Sequence, residues 1–233
     1  MFPERIETDR LILERLCHEN IDLQEFYRVC SDTDGSEERR SADHSSGQRG
    51  GSTASKETAK PSPSPRENSE GMDEVTRYMP WDPHATINES KEFIDGAEKR
   101  WKEAEGADYA IRPAEDEGGA GAFAGVGSLH LDWDRQTGSL GMWLRKRFWG
   151  RGYSGERAAA LMELAFERLD LEVVAVTHHA DNEKSKRAIE KYVEAHGGQC
   201  EGYLRNWAPY GDEVADEYRY TVTQAEYRDA TGD

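Results

Sequence analysis

Cysteine is scarce: three residues, at 17, 30 and 200, occur in 233, and their spacings match neither a disulfide framework nor a zinc cluster. No apolar run approaches the ~20 residues needed to cross a bilayer. The opening stretch MFPERIETDRLIL has no signal-peptide core. These absences exclude a secreted, disulfide-stapled miniprotein and point to a reducing, cytoplasmic compartment. Positive charge is also in short supply, with 30 Lys and Arg against 47 Asp and Glu and a net charge of -17. A free-standing nucleic-acid binder needs the opposite sign, because phosphate contacts need cations. Within the basic side there are 9 Lys against 21 Arg. An acidic, Lys-poor composition suits a protein soluble in molar salt, where the Debye length shrinks to ~3 Å; an ordinary acidic bacterial protein is the alternative. Six Trp, ten Tyr and six Phe argue for a packed core despite a mean hydropathy of -0.92.

Residues Asp34 to Gly71 contain no Val, Ile, Leu, Met, Phe, Trp or Tyr, so this segment buries too little to offset its chain entropy and reads as a disordered insertion. The rest reads as one domain. Alternation predicts strands over Arg10–Leu16, Asp108–Pro113, Ala122–Trp133 and Ser139–Lys146. Helical spacing covers Glu19–Cys30, Thr86–Glu105, Gly155–Leu169 and Lys184–His196, the last capped by Asp181 or Asn182 and stopped by Gly197 and Gly198. A short buried strand at Glu172–His178 and two closing strands near Gln199–Asn206 and Glu217–Thr223 complete an α+β, mixed α/β pattern.

The densest chemistry lies in LRKRFWGRGYSGER, Leu144 to Arg157, which places five cations and one acid, Glu156, around a strand–turn–helix junction. A helix N-terminus presents free N–H groups and the positive end of its dipole, and Gly150 and Gly152 allow close backbone approach. The ligand this implies is a diphosphate. A plain strand-to-helix turn with solubilising arginines is the other explanation of the same residues. The GAGAFAG run at 119–125 fits a dinucleotide fingerprint only formally, since a strand and not a helix follows it.

Six motifs occur in order: ETDRLIL at 7–13, VTRYMPW at 75–81, GMWL at 141–144, WGRGYS at 149–154, Asn182 with Ser185, and EGYLR at 201–205. Together they resemble the GNAT superfamily of acyl-CoA-dependent N-acetyltransferases, in its RimJ/RimL branch. The resemblance implies a twisted mixed sheet flanked by helices, with central strands that splay apart after Gly141–Arg145 to admit acetyl-CoA as cosubstrate. It places the cofactor against Trp143, Leu144, Arg145, Trp149, Gly150, Arg151, Gly152, Tyr153, Ser154, Gly155 and Asn182. Ser154 departs from the Gly or Ala usual there, and Ile189 stands where many members carry a proton-donating Tyr.

By the same resemblance Ser185, beside Asn182, protonates the departing thiolate, and Glu201 or Asp216 serves as base; helix capping is the competing role for Asn182. Tyr192, His130 and the pair His178–His179 are further proton-relay candidates, and adjacent strand residues face opposite ways, so the pair cannot share one metal. No metal is expected. A direct amine attack on a thioester needs no covalent cysteine, and all three Cys read as packing residues. Tyr78, Met79 and Trp81 resemble an acceptor-side wall. The implied acceptor is a protein N-terminal α-amine, as on a ribosomal protein, with no nucleic-acid or membrane partner. A small-molecule amine, or a non-catalytic CoA-binding or interaction module, remains open at this point, as do the oligomeric state and the role of the insertion.

Overall fold

The computed structural model describes residues 1–31, 71–210 and 213–232. The insertion read at Asp34–Gly71 lies outside the described residues except for Gly71, which precedes a short helix. Eight strands form one sheet: β1 (Arg5–Glu7), β2 (Leu11–Arg15), β3 (Gly106–Pro113), β4 (Gly125–Asp132), β5 (Thr137–Leu144), β6 (Val173–His179), β7 (Gln199–Tyr210) and β8 (Glu213–Thr223). Their spatial order is β1-β2-β3-β4-β5-β6-β8-β7. All neighbours are antiparallel except β5 and β6, whose parallel pairing requires a crossover.

The helices divide between the two faces. On one lie α1 (Leu23–Cys30), α2 (Met72–Thr76) and α3 (Ile87–Lys102), burying Phe26, Cys30, Met72, Val75, Ile94 and Ala97 against Ala110, Val126 and Trp143. On the other lie α4 (Tyr153–Glu163), α5 (Glu183–Ala195) and α6 (Gln224–Thr231), with Leu161, Met162, Ile189, Val193 and Tyr227 packed against Leu13, Ile111, Leu129 and Val174. Odd-numbered residues of β5, such as Trp143, face the first layer, and Leu140 and Leu144 face the second.

The helix that sequence spacing predicts over Gly155–Leu169 begins two residues earlier, at Tyr153, and after Glu163 widens into a π turn over Leu164–Arg168. The predicted closing strand starting at Glu217 extends back to Glu213, and its partner β7 runs on to Tyr210 through two register shifts. Three elements lack a matching expectation. β1 is three residues long, too short for alternation to register. The five-residue α2 follows the apolar-free segment directly. α6 buries only Tyr227, although Thr223 and Glu226 form a capping box whose T-x-x-E spacing is legible in the sequence.

Candidate active site

β5 and β6 pair over three residues only, Thr137 with Val173, Gly138 with Val174 and Ser139 with Ala175. Beyond that point the two strands part. Leu140–Leu144 of β5 keep their pairing to β4, and Val176–His179 of β6 keep theirs to β8, so two ladder edges face each other across an opening. The splay therefore starts after Ser139. The expected position, after Gly141–Arg145, is corrected: Gly141 to Leu144 form one wall of the opening. Trp143 and Leu144 are buried on opposite faces of that wall, and the Trp143 Nε1 is buried with no hydrogen-bond partner among the described residues.

At the end of β5 the chain makes one 3-10 turn, Lys146–Phe148, and enters α4 through Gly150 at φ +76° and Gly152 at φ +82°. Both glycines are exposed and left-handed, a conformation disfavoured for any residue with a Cβ. Gly152 is the N-cap of α4 and offers no side-chain cap. Its carbonyl accepts from the Gly155 and Glu156 N–H groups, at 3.1 and 3.3 Å. The N–H groups of Gly150, Gly152, Tyr153 and Ser154 carry no bond among the described residues. Four unpaired donors lie within five residues at a helix N-terminus beside an opening in a sheet, an arrangement suited to an anion, and to a diphosphate in particular.

The arginines of this loop serve it differently from the expected cation cradle. Arg151 donates to the Gly118 carbonyl at 2.6 Å and lies over the Phe148 ring, Arg147 also covers Phe148, and Arg145 donates to the Phe123 carbonyl. Their guanidinium groups brace the turn, so backbone amides are the free donors. Arg157 is buried beneath the opening beside Tyr192, 3.4 Å from the Gly141 carbonyl. Burial pushes the Tyr192 phenol up and the Arg157 guanidinium down. Trp149 donates its indole N–H to the Leu144 carbonyl at 2.7 Å and carries Lys184 on its ring, which ties the loop to the start of α5. Glu74 of α2 bridges Lys146 and Lys184 at 2.5 and 3.0 Å. This pairing holds its carboxyl below the usual range, Lys146 contributing most.

A residue that the sequence reading did not single out, Arg10, completes the cradle. Glu156 accepts from the Arg10 side chain at 2.6 and 2.8 Å, from the Arg10 backbone N–H at 2.7 Å and from Thr8 Oγ1 at 2.6 Å. Arg10 also donates to the Arg151 carbonyl. The only acid of the 144–157 segment is thus neutralised by the T-D-R turn between β1 and β2. That motif was visible in the sequence, but not the fold contact linking it to a loop 140 residues away.

The other candidates scatter. Asn182 Oδ1 accepts from the Ser185 N–H at 3.1 Å and caps α5, so Asn182 has a structural task at the mouth of the opening while the half-buried Ser185 stands one turn in. Ile189 is core. Glu201 lies on a β7 bulge, where it accepts from Thr221 at 2.7 Å, level with Ala175 at the closed end of the splay. Asp216 accepts from the Tyr203 hydroxyl and the Asn206 N–H, closing the other β7 bulge. Its neighbour Glu217, buried and paired with His179, faces the opposite way. His178 stacks on Tyr218 and Tyr220, whereas His179 meets Tyr78 and Tyr210 at ring-centroid distances of 5.0 and 5.2 Å, so the two imidazoles lie on opposite faces. Met79 and Trp81 pack on the first helical layer, with Trp81 edge-on to Trp143 at 5.7 Å. Of the expected acceptor wall, Tyr78 contacts the splayed end of β6 directly. Cys17 and Cys30 are buried, and burial pushes the Cys30 thiol up; Cys200 is exposed, contrary to a packing role.

His130 lies beside Asp108, which is 2% exposed and also accepts from Ser128 and Arg100. Burial raises the Asp108 carboxyl, but the bonds from His130 and Ser128 and the charge of Arg100 overcome it and lower the pKa to about 2. Among the described residues no three His, Cys, Asp or Glu are grouped to hold a metal, and no helix is long and apolar enough to cross a membrane.

The family profile described as Acetyltransferase (GNAT) domain matches residues 70–192, more than half of the chain. The chain belongs to that family. Its matched region holds the splay, the glycine loop, α4 and most of α5. The uncharacterized N-acetyltransferase YnaD of Bacillus subtilis is 29% identical over 91 residues, 39% of this chain and about half, 51%, of YnaD. Among solved structures, the microcin C7 self-immunity acetyltransferase MccE, in complex with acetyl-CoA and AMP, superposes with a TM-score of 0.67 at 16% identity, covering 95% of this chain and 97% of that one. RimL, the ribosomal L7/L12 α-N-protein acetyltransferase, gives 0.66 at 14% identity over 94% of each chain. These likenesses show the GNAT fold, a mixed sheet with helices on both sides.

Proposed function

We propose that this GNAT chain is an acetyl-CoA-dependent N-acetyltransferase that passes the acetyl group directly to an amine, with a protein N-terminal α-amine as acceptor. The observation that carries the reading is the opening between β5 and β6 with the unpartnered amides of Gly150, Gly152, Tyr153 and Ser154 at its rim. These residues fit the diphosphate of acetyl-CoA, and the open edge Leu140–Leu144 fits the amide-bearing arm that follows it. Acetyl-CoA supplies an activated thioester when bound. The chain's own residues hold the phosphates, orient the acetyl group toward the α1–α3 face, and handle two protons. We assign the return of a proton to sulfur to Ser185, half-buried in the first turn of α5.

An α-amine is favoured over a lysine side chain because its pKa of about 7.7–8.0 leaves a reactive neutral fraction near neutral pH, whereas lysine at about 10.4 does not. The likeness to RimL, whose name states an α-N-protein activity, supports the same acceptor. The test is CoA release from acetyl-CoA with peptides bearing free N-termini, with N-terminally blocked lysine peptides, and with small primary amines. Release with the free peptides alone supports the reading. Release only with small amines replaces the acceptor, and no release with CoA binding intact points to a non-catalytic module.

A further inference from the structure

Glu217 of β8 is 4% exposed. Among the described residues its carboxylate receives one hydrogen bond, from the Tyr210 hydroxyl to Oε1 at 2.8 Å, and no Lys, Arg or His pairs with it. Burying a carboxylate costs free energy unless a positive charge or further donors complete its shell. Asp108, equally buried, has Arg100, His130 and Ser128 around it. Glu217 has no counterpart to these, and its Oε2 is left without a protein donor.

The position of this acid is informative. Glu217 pairs across the ladder with His179, which belongs to the stretch of β6 that has parted from β5. Adjacent strands lie about 4.8 Å apart, so the carboxylate is one strand in from the opening. The groups facing it are His179 from β6, Tyr210 from β7, Tyr78 from the segment between α2 and α3, and Arg219 two residues on along β8. Arg219 lines, with Trp207, Leu140 and Thr177, a pocket at the closed end of the same opening, and makes no ion pair with Glu217. Tyr78 and Tyr210 flank His179 at 5.0 and 5.2 Å, and the face of a tyrosine ring attracts a cation.

We propose that Glu217 binds the ammonium group of the acceptor amine and takes its proton, with Tyr78, His179 and Tyr210 walling the approach. The assignment rests on the N-acetyltransferase reading. Glu217 Oε2 accepts one proton from the ammonium, and the nitrogen lone pair so freed forms the C–N bond to the acetyl carbon as the C–S bond breaks. The second nitrogen proton reaches the departing sulfur through the Ser185 hydroxyl, and Glu217 releases its own to water, so the products are the amide, the free thiol and one proton.

The test compares wild type, Glu217→Gln and Tyr210→Phe for CoA release with the free-N-terminus peptide pool and the small-amine pool from about pH 6.5 to 9.5, beside calorimetric titration with CoA. Glu217→Gln is expected to lower kcat/KM for the accepted pool by about 100-fold at pH 7. The deficit narrows to about tenfold at pH 9.5, where an α-amine is already neutral, and CoA affinity is unchanged. Tyr210→Phe, which keeps the carboxylate but removes its one charge-assisted hydrogen bond, lowers kcat/KM by about tenfold, less than Glu217→Gln does. A Glu217→Gln variant as active as wild type at pH 7, a deficit constant across pH, or the same deficit in Tyr210→Phe overturns the Glu217 assignment alone. No release by wild type with either pool, with CoA still bound, overturns the transferase reading and this assignment with it.

Discussion

Arg10 and Glu156 meet at 2.6 Å across 146 residues of sequence, and that pair fixes the first turn of α4 to the β1–β2 turn. The same Arg10 side chain holds the Arg151 carbonyl, so one guanidinium anchors both the helix start and the loop before it. A diphosphate cradle made of backbone amides works only if the backbone is fixed in advance, and this contact supplies the fixation.

Glu156→Gln therefore removes a charge-assisted network and is expected to cost about 1–2 kcal/mol of stability at pH 7. Despite partial burial, which raises it, bonds from Thr8 and Arg10 hold the Glu156 carboxyl below its ordinary value. A depressed carboxylate contributes stability above its unfolded pKa of about 4.3 and loses it as pH falls through the folded value. Urea melts should show the wild-type advantage at pH 7 shrinking below about pH 4; an advantage that persists at low pH contradicts the ionic account.

Gly150 and Gly152 separate conformation from crowding. Both have left-handed φ angles, but a Cβ on Gly150 meets nothing within 4 Å, whereas one on Gly152 lies 3.3 Å from Arg10. Each Ala variant should lose about 1–2 kcal/mol from the strained φ. Gly152→Ala should weaken CoA binding further than Gly150→Ala because it also pushes on Arg10. Isothermal calorimetry checks the ranking, and equal or reversed affinities count against the anchoring role of Arg10.

Asp108 makes the fold sensitive to acid. Its pKa of about 2, against an ordinary 3.8, is worth about 2 kcal/mol above pH 4. That stability is lost as pH falls from about 4 toward 2. Asp108→Asn leaves Arg100 facing a neutral amide in a buried site, and should cost about 3 kcal/mol at pH 7 with a flatter acid limb in the melt. A variant with wild-type acid sensitivity rules this out.

Asn182 and Ser185 should differ in kind. Asn182→Ala removes the α5 cap and is expected to cost about 1 kcal/mol of stability. Ser185→Ala should leave stability alone and slow turnover without changing CoA affinity. Melting curves and steady-state kinetics on the two variants together decide this, and unchanged turnover in Ser185→Ala removes it from proton transfer.

What was legible in the sequence follows a physical line. Elements with a strong period, such as α3 with Ile94 and Ala97 or β3 through β5, stand close to where alternation and helical spacing place them, because burial enforces that period. The glycine loop was legible because left-handed φ at 150 and 152 demands residues without Cβ. Contacts between distant segments were not. Nothing in the local pattern says that Arg151 turns to Gly118, that Arg10 reaches Glu156, or that Glu217, and not its neighbour Asp216, stands opposite His179. One residue of register between β6 and β8 decides which of two adjacent acids shares the face of His179.

The most direct test of the account is amide hydrogen exchange with and without acetyl-CoA. The central claim is that the cofactor enters between β5 and β6 against the amides at the start of α4. The account predicts that acetyl-CoA slows exchange at Gly150, Gly152, Tyr153 and Ser154 and along Leu140–Leu144, with little change in β1, α3 or α6. Protection that leaves these residues unchanged, or appears only elsewhere, contradicts it.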